Sequence, residues 1–360
     1  MNPQVRTDER TGQPSTWIAR ERMEPGHGPI LAAYLAVGVI VAGALVALGL
    51  IHDGPLPSEN EYDSFMGTLL QQLSLEVGRV LTAVAGGFAV SAWGLVARRL
   101  YHSNSIGFAT MGLLALDTGF LVQSHLVQPL AWELLFSGIA VMLALQPNTK
   151  LHWFIPLPLA LYGLENRTSI ILAIGLFAML VARGHIYATR KHVHAAFWQT
   201  LPGLTGLFSS FHWGIIQAGA YIPGPGTVHI HNPAIWYTGA IAAVAGVLGG
   251  LLVVTSQFRM ARHPGRIQFR LQNRIPRVHG RILWNAILLP VALPALIMHL
   301  LGGIQALTED SRAFRAALYV GVFAFALVYV IRFWAFLLGD ATDADLDALQ
   351  EILPWISFDN

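Results

Sequence analysis

The chain has 360 residues, 54% of them hydrophobic and only 12% charged, with a mean hydropathy of +0.53. Soluble domains carry roughly 25% charged residues, so the expectation is an all-α polytopic membrane protein. The net charge of +2 gives no electrostatic footprint for nucleic acid, and the absence of cysteine excludes disulfides, thiolate catalysis and Cys-ligated metals or clusters.

Residues 1–28 are polar and mixed in charge and show no small-residue cleavage site, so they read as a cytoplasmic tail before an uncleaved helix. An apolar stretch of about 20 residues crosses a bilayer as a helix, because its backbone polar groups must be satisfied within the segment. The first such stretch is 29–51. The loop 52–76 holds Asp53, Glu59, Glu61, Asp63 and Glu76 and no Lys or Arg, so it is expected outside. Spans follow at 77–97, ending on Arg98 and Arg99 inside, at 106–122, and at 130–145, returning to Lys150.

Residues 151–182 are too long for one span and too short for two, so two short helices are expected to meet at the break Glu165-Asn166-Arg167. A basic loop with Arg183, Arg190 and Lys191 precedes spans at 197–221 and 234–256. The loop 257–281 carries seven arginines and suits an inner leaflet of anionic lipid. Spans at 282–304 and 313–338 complete about ten crossings. The turn between them, with Glu309 and Asp310, is expected outside, which makes Arg312 and Arg315 exceptions to the positive-inside pattern. An acidic tail, 339–360, ends inside.

The membrane core thus divides into 29–196, with its acidic outer loop, and 197–338, with its arginine-rich loop. Both termini are expected in the cytoplasm. The preference for Arg over Lys suits a high-GC prokaryote, whose inner membrane is the expected location.

Ionisable groups inside spans are costly and point to cavities, partners or N–H donors. Asp117 lies in the middle of the third span and is expected to be a packing or N–H-accepting aspartate; Glu133 opens the fourth, and Glu165 and Arg167 mark the broken pair. Fourteen histidines raise a haem or metal reading. His194 and His212 share a helix face only if the intervening stretch is helical, and His279 and His299 fall on nearly opposite faces. His229 and His231 alternate in an outer loop and are weak metal candidates without a third ligand. No P-loop or nucleotide-binding motif is present.

Three stretches carry a family likeness. Arg79–Leu81 with the turn Ala97–Leu100, then LLALDTGFLVQSHL at 113–126, resemble the core of the protein O-mannosyltransferases and related GT-C glycosyltransferases. LPLALYGLENRTSIILAIGLFAML at 157–180 and HNPAIWYTGAI at 231–241 are similar to two further family segments, in the same order. The resemblance covers roughly residues 30–300. It implies a GT-C-like helical arrangement, a polyprenyl-phosphate sugar donor at the outer face, transfer with inversion, and no identified cofactor.

The resemblance also implies an outer-loop carboxylate as base, here Glu61 or Asp63 with Glu59 beside them. His125, Arg167, Glu133 and Arg79 are then the candidates for the donor phosphate or substrate. The sequence departs from the family in lacking its His-Pro-Pro segment and in placing His125 and Leu130 where the family has Arg and Asp. Two other functions therefore stand beside the transferase. One is a non-catalytic membrane subunit on the same scaffold, packed against other subunits; the other is a cytochrome b-like haem carrier. Membrane lipids are the expected surroundings in all three.

Overall fold

A computed structural model describes residues 27–51, 65–101, 103–146, 149–166, 168–188, 291–308 and 311–332, with isolated positions between 205 and 288. The regular secondary structure among these residues is helical, with no strand. The helices are α1 (His27–Ile51), α2 (Phe65–Gln71), α3 (Leu75–Tyr101), α4 (Asn104–Ala115), α5 (Thr118–His125), α6 (Pro129–Ala144), α7 (Pro156–Glu165), α8 (Ser169–Ala188), α9 (Ala292–Leu307) and α10 (Arg312–Arg332). Among the described residues α1 (from Gly28) and α3 are long and apolar enough to cross a membrane, and the bent pair α4–α5 would make a third crossing.

Helix α3 is the axis of the bundle, buried along nearly its whole length, with α1, α4, α5 and α6 packed around it. Small residues let the backbones approach, as expected where packing rather than water drives association. A side chain at Gly87 would meet Gly38 O and Ala42, and Ser91 Oγ donates to Tyr34 O at 2.9 Å. On the opposite face of α3, Trp93 is fully buried and its Nε1–H donates to Leu134 O on α6 at 2.8 Å. The outward face of α1 is the reverse of a soluble helix: Val39 and Ile40 are 61% and 71% exposed. An apolar face turned outward on this scale is what hydrocarbon surroundings require.

Two expectations are corrected. The stretch 106–122 is not one helix. Leu116 and Asp117 interrupt it, and α4 and α5 meet at 66°. Asp117 explains the break, because its extended backbone and its carboxylate, which accepts from Phe120 N at 2.9 Å, make it the N-cap of α5. The acidic loop is not all loop either, since α2 forms within it and buries Met66 and Leu70. The expected break after Glu165 is present: α7 ends there and α8 starts at Ser169.

A third correction concerns threading. The chain reverses from α3 to α4 around Arg98, Arg99 and Ser103, and this defines a basic end of the bundle. The α9–α10 turn lies at that same end. Tyr101 would meet a side chain placed at Gly302, and Ser103, Ser105, Gln305, Arg312 and Arg315 line one cavity. Arg312 and Arg315 therefore join Arg98 and Arg99, where an opposite, outer position was expected. The interval between α8 and α9 lies almost entirely outside the described residues.

Candidate functional site

At the end opposite the basic one, five polar side chains come together from α6, α7 and the α7–α8 connection. The network has a direction. Asn166 Oδ1 accepts from both Thr168 N and Thr168 Oγ1 at 2.9 Å. That fixes the amide, so Asn166 Nδ2 donates to Glu133 Oε2 at 2.9 Å. Because the Thr168 hydroxyl spends its proton on Asn166, Tyr162 Oη donates to Thr168 Oγ1 at 2.8 Å. The chain of donors runs from Tyr162 through Thr168 and Asn166 to the Glu133 carboxylate, and such chains polarise each member in turn.

Glu165 closes the cluster on its other side. Its Oε1 accepts from Met66 N at 2.8 Å, which satisfies one of the orphan donors at the start of α2. The carboxylate thereby pins α2 to the end of α7. Trp132, next to Glu133, donates from Nε1 to Thr82 Oγ1 at 3.3 Å and ties the cluster to α3.

Arg79 and His125 lie at the same end, near the close of α1. Arg79 is 3% exposed and donates from Nη1 to Gly49 O at 3.1 Å, a carbonyl in the last turn of α1. Helix ends leave such carbonyls without an intrahelical partner, and a cation is favoured there by the helix dipole. His125 is 2% exposed, and its Nδ1–H donates to Leu121 O at 2.6 Å. Both side chains make contacts internal to the fold.

Of the sequence candidates, the structure brings Glu133 into the network and places Arg79 and His125 beside the end of α1. Glu59, Glu61, Asp63, Arg167, His229 and His231 lie outside the described residues. So do His194, His212 and His279 of the haem reading, while His299 donates from Nδ1 to Ala295 O at 2.7 Å. Among the described residues no group of three or more His, Cys, Asp or Glu could hold a metal ion. Sequence reasoning passed over Tyr162 and Thr168 and took Asn166 only as part of a break. The available signal was the N-R-T run at a helix interruption, where side chains hydrogen-bond local backbone.

The orientation of Asn166 gives a sharp expectation. In Asn166→Asp the two Thr168 donors keep an acceptor, but a second carboxylate faces Glu133 where an N–H stood. The lost charge-assisted hydrogen bond alone is worth about 1.5–3 kcal/mol, and like-charge repulsion adds to it. A melting curve in detergent should show clear destabilisation of Asn166→Asp, while a melting point equal to that of the parent would break the assigned direction of the network.

No family model matches the chain, and no curated protein or solved structure matches it either.

Proposed function

We propose that the chain is a membrane-embedded glycosyltransferase of GT-C-like arrangement, crossing the bilayer about ten times and taking a sugar from a polyprenyl-phosphate donor at the end that holds the Glu133 network. One observation carries this reading. The described residues on either side of 52–64 lie at that end, with the last turn of α1 held by Arg79 and the first turn of α2 held by Glu165. Asp63 is three residues from Met66 in the chain, and three residues reach at most about 11 Å. The reading brings outer-loop carboxylates and the Glu133 carboxylate to one end of the bundle.

The chemistry is a displacement at the anomeric carbon. Glu61 or Asp63 takes the proton of an acceptor hydroxyl, the hydroxyl oxygen bonds to the anomeric carbon, and the bond from that carbon to the lipid phosphate breaks with inversion. Glu133 orients the acceptor by accepting a hydrogen bond on the carboxylate that Asn166 holds. Arg167, next in sequence to Asn166, supplies positive charge for the leaving phosphate.

The non-catalytic scaffold is the second reading. It is favoured by Arg79 and His125, whose hydrogen bonds to Gly49 O and Leu121 O serve the fold. Membranes containing the chain, given a panel of radiolabelled polyprenyl-phosphate hexoses, separate the two. Transfer of label above that of membranes lacking the chain is expected, and Glu133→Gln should lower it about 10- to 100-fold, the rate equivalent of one hydrogen bond to a charged group. Absence of transfer from every donor would leave the scaffold reading.

A further inference from the structure

At a rise of about 1.5 Å per residue, Arg79 and Arg98 on α3 stand about 28 Å apart, close to the thickness of a bilayer's hydrocarbon core. Helix α10 covers the same depth. It starts at the basic end, where Arg312 and Arg315 share a lining with Ser103 and Ser105. It then climbs beside α4, because a Cβ at Gly112, near the far end of α4, would meet Phe323 Cε1 at 2.6 Å. The start of α4 lies beside the start of α1, with Tyr34 Oη donating to Asn104 O at 3.3 Å. Both α1 and α10 therefore begin at the basic end and lead away from it. From Arg312 to Arg332 α10 rises about 30 Å, and no charged residue stands between Arg315 and Arg332. Val320, Phe325, Val328 and Ile331 are each more than half exposed, an outward apolar face that suits hydrocarbon. Helix α10 thus finishes at the end that holds the Glu133 network. Beyond it Asp340, Asp343, Asp345, Asp347 and Glu351 leave no further apolar stretch of bilayer length.

We propose that the acidic tail 339–360 emerges on the outer face of the membrane, in the same compartment as the acidic segment 52–64, while α1 begins at the cytoplasmic face. The distribution of cations sets the sign. Arg98, Arg99, Arg312 and Arg315 gather at one end of the bundle, whereas 52–76 contains no Lys or Arg, and basic residues concentrate on the cytoplasmic side. Placing the first turn of α10 in the cytoplasm removes the two exceptions that Arg312 and Arg315 made to that pattern. Arg332 is then a single cation at the outer end of α10, against two at its inner end. The chain crosses an odd number of times, and the cytoplasmic C terminus expected from the sequence is reversed. Any partner that reads the five carboxylates of the tail is met in the outer compartment. This placement does not depend on the transferase reading.

Single cysteines in the full chain test it with a membrane-impermeant maleimide, and the natural chain gives no background because it has no cysteine. Three separate variants suffice: Ser58→Cys in the acidic segment, Ser311→Cys at the exposed start of α10, and Ala344→Cys in the tail. Labelling of each variant after detergent solubilisation shows that its thiol is present and reactive. In intact spheroplasts Ser58→Cys and Ala344→Cys should label to the same extent as after permeabilisation. Ser311→Cys should label only once the membrane is opened. Ala344→Cys protected together with Ser311→Cys would return the tail to the cytoplasm and overturn the proposal. Any other distribution, including labelling of Ser311→Cys in intact spheroplasts, overturns it as well.

Discussion

Replacing Glu61 with glutamine and Asp63 with asparagine together is expected to reduce sugar transfer by two to four orders of magnitude. An alcohol is a poor nucleophile until its proton is taken, and positioned general bases contribute about 10²- to 10⁴-fold. Both substitutions conserve shape and hydrogen-bonding capacity, so the loss isolates the charge. The double change is needed because the two carboxylates are separated by only Tyr62, and either could serve in the other's absence. Under the proposed function binding of the lipid donor should survive, because that reading assigns the phosphate to cations rather than to this segment. The informative pattern is therefore a fall in turnover with little change in the donor concentration needed for half-maximal rate. Full transfer in the double variant would rule out the outer-loop base and shift attention to Glu133.

The second large effect is expected at Gly87. A Cβ there would meet Gly38 O, Ala42 Cβ at 2.6 Å and Ala42 N at 2.9 Å. Two of these three atoms belong to the backbone of α1, which cannot turn aside as a side chain can. Overpacked sites with movable neighbours cost about 1–3 kcal/mol, so Gly87→Leu should cost at least the top of that range or detach α1 from α3. Gly43, also on α1, has no neighbour within 4 Å of its ideal Cβ. Gly43→Leu is therefore the matched control and should melt within a few degrees of the parent. If both leucine variants melted alike, the close approach of α1 to α3 would be wrong. The consequence reaches the site, since Arg79 of α3 holds the last turn of α1, where the acidic segment begins.

Some of this architecture could be read from the residues directly. Helices α1 and α6 begin and end within two residues of the apolar runs 29–51 and 130–145, because uninterrupted apolar sequence leaves few other places for a backbone that must satisfy itself. The α7–α8 break was legible because Glu165, Asn166 and Arg167 interrupt hydrocarbon sequence with three polar groups in a row. Glu133 stood out for the same reason. Asp117 was legible as a packing or N–H-accepting residue, yet the sharp bend it creates was not, since the apolar pattern runs through it unbroken. Helix α2 was missed because seven residues carry too little periodicity to register.

Sequence alone determined the class of the molecule: a chain rich in apolar residues and poor in charge, helical among its described residues, with carboxylates isolated at a few positions that would otherwise be oily. Tertiary structure decided what those positions touch. It gave Arg79 a partner at the end of α1, gave Asn166 and Thr168 a part in holding Glu133, and brought Arg312 beside Ser103 across more than two hundred residues of chain. The physical reason is that hydropathy and charge are properties of single residues read along a line, whereas a hydrogen-bond partner or a shared cavity is a property of two helices at one depth. Depth and neighbour depend on how many times the intervening chain crosses and on where glycine lets one backbone approach another.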